Sequence, residues 1–272
     1  MIVYASTKMD ISNYIGWFKN RLKDGFFDKE INEKIINRYK LEDIEKIVLY
    51  TRNPSVLYKE RDFFSKYKTD LISFISMYDS FIEPNIKNKE KIILSIKKCK
   101  NYYNNYLGYG PVFFTDIHNK QWHLQQFEFL CSLLSEYIKG IYISFNINTY
   151  CQNNKKIKAY HLSEYEQKEI MNSFQEIADK YKLQVFLMKS ESSFSDDEID
   201  VGLMNCCPLV CEYCSFINNK KAAKQKYQVF DEKNTLLYGI ISKGQKIKEI
   251  SLEKKVETNE KKIEQIDLFS FL

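Results

Sequence analysis

The alternation of two residue patterns constrains this chain more than any other feature. Short runs rich in β-branched and aromatic residues occur at 2–6, 46–51, 71–76, 111–115, 141–147 and 184–189. Between them lie longer segments with helical spacing, at 13–23, 89–106, 122–138 and 163–181. In the last of these, Ile170, Phe174, Ile177 and Ala178 fall at i, i+4, i+7 and i+8, which is one face of a helix. Strand–helix alternation at this interval predicts βα units around a parallel sheet. Six units by residue 190, with a further strand at 199–204, predict an α/β fold in the form of a full or partial (β/α) barrel. An open doubly wound sheet is the alternative. Residues 1–248 are read as the barrel with a cysteine-bearing loop at 206–216, residues 249–264 as a charged linker, and residues 265–272 as a terminal peptide.

Composition narrows the class. With 44% hydrophobic and 15% aromatic residues among 272, the chain has material for a full core, and 8 Gly and 4 Pro are too few for a collagen-like or low-complexity chain. No run approaches the roughly 18–20 apolar residues of a membrane span. Lys8, Asp10, Lys19, Arg21, Lys23 and Asp24 interrupt any apolar signal region near the start. The expectation is a cytoplasmic protein without a membrane partner. Net charge is +5, and residues 218–264 alone hold 12 Lys against 7 acids. Such a segment favours phosphate backbones, which makes DNA a candidate partner, although a Lys-rich chain also produces charged faces without one.

Four of the seven cysteines crowd into nine residues: Cys206, Cys207, Cys211 and Cys214. Cys99, Cys131 and Cys151 are scattered through apolar stretches, as packing cysteines usually are. Cys207-Pro-Leu-Val-Cys211-Glu-Tyr-Cys214 is C-x3-C-x2-C with an aromatic residue before the last Cys. Three thiolates at this spacing can hold one face of a [4Fe-4S] cube and leave the fourth iron open. The spacing and the Tyr resemble the cluster loop of radical S-adenosylmethionine enzymes, in which the cofactor's methionine end chelates that iron. The competing assignment is zinc with Cys206 as fourth ligand, and chance clustering of thiols is a third. In the enzymes it resembles, the loop follows the first strand; here it follows the last. A Gly-Gly-Glu element for the methionine amine is absent.

Polar residues at the strand ends describe a mouth suited to a polar ligand: Asp10, Thr51, Arg52, Asn53, Asp79, Glu83, Asp116, His118, Asn146 and Asn148. Of these, Asp10, Thr51, Asn53 and Asp116 are the candidate cofactor-binding residues. The stretches Ala5-Ser6-Thr7-Lys8-Met9-Asp10, Thr51-Arg52-Asn53-Pro54, Ile82-Glu83-Pro84-Asn85, Ile143-Ser144-Phe145 and Cys207–Cys214 resemble elements of the bacterial DUF1848 family. The resemblance implies a radical S-adenosylmethionine-like barrel whose nearest logic is a DNA repair lyase, spore photoproduct lyase. It also implies an electron donor as partner. Paired arginines of that family are replaced here by Thr7 and Lys8, and an Arg-Tyr-Asp-Pro element reads Phe114-Thr115-Asp116-Ile117. Lys does not reproduce the bidentate fork of Arg.

The terminal peptide, Gln265-Ile266-Asp267-Leu268-Phe269, follows a charged stretch and turns abruptly apolar. It resembles the peptide with which bacterial proteins bind the DNA polymerase sliding clamp. In that mode Gln265 bonds at a pocket rim, and Leu268 and Phe269 fill an apolar cleft. The alternative is a tail that docks back on its own barrel. Two functions follow as expectations: a radical S-adenosylmethionine-like enzyme acting on DNA and recruited by the clamp, or a non-catalytic metal-loop protein that engages the clamp.

Overall fold

The computed structural model describes residues 1–5, 8–86, 88–145, 157–160, 162–189 and 194–251. Among the described residues, ten strands run β1 (Ile2–Ala5), β2 (Phe26–Asn32), β3 (Ile35–Lys40), β4 (Lys46–Thr51), β5 (Thr69–Ile75), β6 (Asn104–Tyr109), β7 (Gly140–Ile143), β8 (Gln184–Leu187), β9 (Glu198–Asp200) and β10 (Lys246–Ile250). The helices are α1 (Ile15–Asp24), α2 (Pro54–Lys59), α3 (Arg61–Phe64), α4 (Lys89–Cys99), α5 (Lys120–Leu134), α6 (Glu164–Lys180) and α7 (Lys220–Gln228). None of the described helices is long and apolar enough to cross a membrane.

Period-two side-chain alternation gives the main sheet two different faces. Val3, Ala5, Ile47, Leu49, Leu71, Leu107, Ile141 and Ile143 have no exposed surface and form the core beneath the helices. The predicted stripe Ile170, Phe174, Ile177 and Ala178 of α6 packs into that core, as do Phe127, Leu130 and Leu134 of α5. The intervening residues Tyr4, Val48, Tyr50 and Ile72 line the concave face, with Phe74, Tyr106 and Tyr142 half-buried beside them.

All seven strands of this sheet are parallel, in the order β8-β7-β6-β5-β4-β1-β9. From β1 through β8 each strand lies beside the next one in the chain order of the sheet, so the winding runs one way and the doubly wound alternative falls. The sheet curls into a half-barrel. β9 returns to pair with β1 on its far side, where closure would bring it, but β8 and β9 do not pair. The fold is thus a partial barrel and not a full one. The strands on either side of the seam have four and three residues, and each pairs with a neighbour on one side alone. Lys189, just past β8, reaches across to Glu198 of β9 at 3.1 Å.

Three sequence expectations shift. The run at 111–115 is not a strand; the fourth barrel strand is Asn104–Tyr109, and the helix expected at 89–106 ends at Cys99. Pro111 has no N–H to give a ladder, while the Asn105 amide captures the carbonyls of Ile96 and Tyr137 and fixes the turn from helix to strand. A separate three-stranded sheet, β10-β3-β2, was not expected. Gly25, at φ 75°, ends α1 and starts that sheet, and Asp28 holds Arg38 through two bonds of 2.8 and 2.9 Å. β10 runs to Ile250, two residues into the stretch read as linker.

Candidate functional site

At the C-terminal ends of the parallel strands, Asp10 organises the first two. Its Oδ1 accepts from the Ser12 N–H at 3.0 Å, the Ser12 hydroxyl at 2.7 Å and the Thr51 hydroxyl at 2.7 Å; its Oδ2 accepts from the Arg52 N–H at 2.8 Å. A carboxylate is needed here because every neighbour is a donor. Thr51 therefore serves Asp10 with its hydroxyl, which also accepts from the Asn53 N–H at 2.8 Å.

The next layer is built on Glu83, which has no exposed surface. One carboxylate oxygen accepts from Arg52 Nη1 at 3.0 Å, from the Tyr213 hydroxyl at 2.5 Å and from the Ser76 hydroxyl; the other pairs with Lys89 Nζ at 3.0 Å. A buried carboxylate survives only with such partners. Burial opposes the charge on Arg52, but the carboxylates of Glu83 and Asp10 help to outweigh it, and its pKa stays above the ordinary value. Arg52 also donates to the Gly110 carbonyl at 3.2 Å and lies 5.6 Å from the Tyr213 ring centre. Burial, reinforced by Glu83, keeps the Tyr213 hydroxyl protonated and hence a donor.

Tyr213 belongs to the cysteine loop. The loop is tied twice more to the segment after β5: the Glu212 N–H donates to the Ile82 carbonyl at 3.1 Å, and the Asn85 amide donates to the Leu209 carbonyl at 2.9 Å. Cys207, Cys211 and Cys214 all line one cavity of about 220 Å³, together with Asp10, Thr51 and Arg52. Lys8, Ser144 and Lys189 complete its polar wall, and Tyr50, Phe74 and Met188 carry it down to the concave face. Burial raises all three thiols, Cys211 to about 12, with the Arg52 charge working against it there. Nearby backbone N–H groups, of Asp10 and Leu209 for Cys207 and of Phe216 and Ile217 for Cys214, work against that rise. Such donors favour the anionic sulfur that a metal requires.

As they stand, no three His, Cys, Asp or Glu side chains among the described residues converge on a single ion. The donor set is one of three thiols around a shared space, and it fits a multi-iron cluster held at separate corners. Cys206 is not part of it. Its sulfur faces the core and donates to the Met204 carbonyl at 3.5 Å.

The structure brings Asp10 and Thr51 to the cavity and leaves two other candidates outside. Asn53 is exposed at the start of α2, where it accepts from the Ser55 hydroxyl at 2.5 Å. Asp116 is exposed and pairs with Lys158 at 3.0 Å. Both follow apolar runs, but their loops turn toward solvent. His118 is buried against Tyr78 and Trp122 instead of opening on the mouth. Asn146, Asn148 and Cys151 lie outside the described residues, as do Gln265, Ile266, Asp267, Leu268 and Phe269. Arg52 and Glu83, the pair that joins strand ends to cysteine loop, stood beside the chosen candidates without being singled out. Their signal was that both sit in stretches resembling family elements.

The sequence profile described as "Domain of unknown function (DUF1848)" matches residues 2–199. The chain belongs to the DUF1848 family. No curated protein matches it. In this DUF1848 protein the match stops within β9, so the cysteine loop lies beyond it while Asp10, Arg52 and Glu83, which brace the loop, lie inside it.

Proposed function

We propose that this DUF1848 protein is a radical S-adenosylmethionine-like [4Fe-4S] protein that acts on DNA. The observation that carries the cofactor assignment is the cavity itself. Three cysteines of one loop open on a shared space at the C-terminal strand ends, where barrel folds place their chemistry. Cys207, Cys211 and Cys214 are the cluster ligands, and Cys206, turned into the core, is not. A cluster held by these three cysteines would, once reduced, supply the electron for cleaving the sulfonium of S-adenosylmethionine. The chain's own residues do the rest. Asp10 fixes the first two strand ends and lines the cavity beside Cys207; Arg52 sets a positive charge beside the thiolates; Tyr50, Phe74 and Met188 give the ligand space an apolar floor.

The DNA assignment is supported by the sequence outside this site. The Lys-rich segment 218–264 and the clamp-type peptide Gln265–Phe269 would bring the barrel to replicating DNA. An external electron donor completes the set of partners.

The test is anaerobic reconstitution. The expected outcome is about four iron and four sulfide per chain, lost in Cys207→Ala, Cys211→Ala and Cys214→Ala and kept in Cys206→Ala. Reduction in the presence of S-adenosylmethionine is then expected to release 5′-deoxyadenosine. One tightly bound zinc without iron overturns the cluster assignment; a stable cluster that never yields 5′-deoxyadenosine leaves the non-catalytic function.

A further inference from the structure

We infer that Glu83 is the positioning residue of the cysteine loop, acting through the Tyr213 hydroxyl. The inference rests on the cluster reading for its purpose, but its geometry does not depend on it. Glu83 follows β5 and the loop follows β9, 130 residues apart for the Glu83–Tyr213 pair. The two meet in a bond of 2.5 Å between fully enclosed groups. Tyr213 stands between two of the three cavity cysteines, so the anchor falls inside the C-x2-C half of the loop. The other end of the network is equally fixed. Arg52 bonds Glu83 and the Gly110 carbonyl, and its own N–H is held by Asp10, which lines the cavity beside Cys207.

One chain of contacts thus runs from Cys207 through Asp10, Arg52 and Glu83 to Tyr213 and the pair Cys211 and Cys214. It passes through the stretches around Asp10, Thr51–Pro54, Ile82–Asn85 and Cys207–Cys214 in turn. Ser76 and Lys89 also bond Glu83 but make no bond to the loop: Ser76, just past β5, otherwise accepts from Arg52 at 3.4 Å, and Lys89 opens α4. That asymmetry makes the inference testable. If Glu83 positions the loop, removing the loop-side bond matters and removing the Ser76 bond does not.

The experiment follows alkylation of each cysteine by iodoacetamide in the full, metal-free chain, resolved by mass spectrometry. Cys99 and Cys131, buried in the core, report global opening. In Tyr213→Phe, alkylation of Cys211 and Cys214 is expected to rise about tenfold, the scale of one charge-assisted hydrogen bond. Cys99 and Cys131 should stay at the wild-type rate. Ser76→Ala should leave all rates unchanged. Glu83→Gln, which keeps an acceptor for Tyr213, should lie nearer the wild type than Glu83→Ala. Unchanged Cys211 and Cys214 rates in Tyr213→Phe overturn the inference, as does an equal effect in Ser76→Ala. So does a rise at all cysteines together, which marks general unfolding. Iron uptake by the same variants reads the cluster assignment separately: loosened thiols with no iron in any form of the protein sink that assignment and leave the anchor standing.

Discussion

His123 shows how one enclosed side chain couples this fold to pH. It is 1% exposed, with Nδ1 3.0 Å from the Tyr109 hydroxyl and Nε2 2.9 Å from the Phe113 carbonyl. A neutral ring satisfies both neighbours. Burial depresses its pKa from 6.5 to about 4, with the Phe113 carbonyl pulling weakly the other way. The folded value lies below the unfolded one, so the unfolded chain takes up a proton that the folded chain refuses. Stability is therefore full above about pH 6.5 and falls as pH drops toward 4, by up to about 3 kcal/mol from this group. Urea melts between pH 7 and pH 5 should show the decline, and His123→Gln should flatten most of it. Residue type also limited what the sequence could disclose. Asp10 and Asp116 both follow apolar runs, and nothing local separates them. Asp10 owes its place to donors arriving from Ser12, Thr51 and Arg52, whereas Asp116 meets only an exposed lysine.

Among the elements, β6 runs straight into a demanding backbone position. It is followed by Gly110, where φ is +131° and an added Cβ would stand 2.6 Å from the Ser144 carbonyl oxygen. The same glycine's carbonyl receives Arg52. Gly110→Ala meets both a forbidden dihedral and a backbone oxygen that cannot swing aside, and it is expected to cost about 2–4 kcal/mol. A thermal melt measures this, and circular dichroism of the surviving fraction should still report the mixed fold. The elements that the sequence disclosed best are those where periodicity and capping agree. In α6, Ser163 and Glu166 form a reciprocal capping box ahead of the apolar stripe, so its start and buried face were both legible. β2, β3 and β10 were not. Phe27 and Ile36 are fully buried there, but charges alternate with them and Ile31, Ile35 and Ile247 face solvent, so the strands read as surface. The run at 111–115 failed for the opposite reason, since its residues are buried as loop and satisfy an apolar pattern without a ladder.

At the scale of the whole molecule, the half-barrel carries the candidate site, and a connection to a partner is proposed for the terminal stretch. The half-barrel's winding was legible because each βα unit repeats the same order. The seam was not, because whether β8 and β9 meet depends on the curvature of the whole sheet and not on any local pattern. The connection is testable alone. A peptide spanning Gln265–Phe269 is expected to bind the bacterial sliding clamp with micromolar affinity, about −8 kcal/mol. Replacing Leu268 and Phe269 together by Ala should abolish this in the full chain without lowering its melting temperature. A chain truncated after Glu264 should keep its fold and its thiol environment, and a loss of stability on truncation would show that the tail packs on the barrel.

The return of β9 to β1 also has a consequence for how the protein is made. Ile2 pairs with Glu198, so at ordinary elongation of about 5–20 residues per second β1 waits roughly 10–40 s on the ribosome for its neighbour. During that interval one edge of β1 is an open template for other chains, the kind of exposed strand that chaperones shield. The cysteines emerge later still. A cluster held by Cys207, Cys211 and Cys214, as proposed, would have to be delivered after translation has passed residue 214, into a sheet that has only just acquired its last strand.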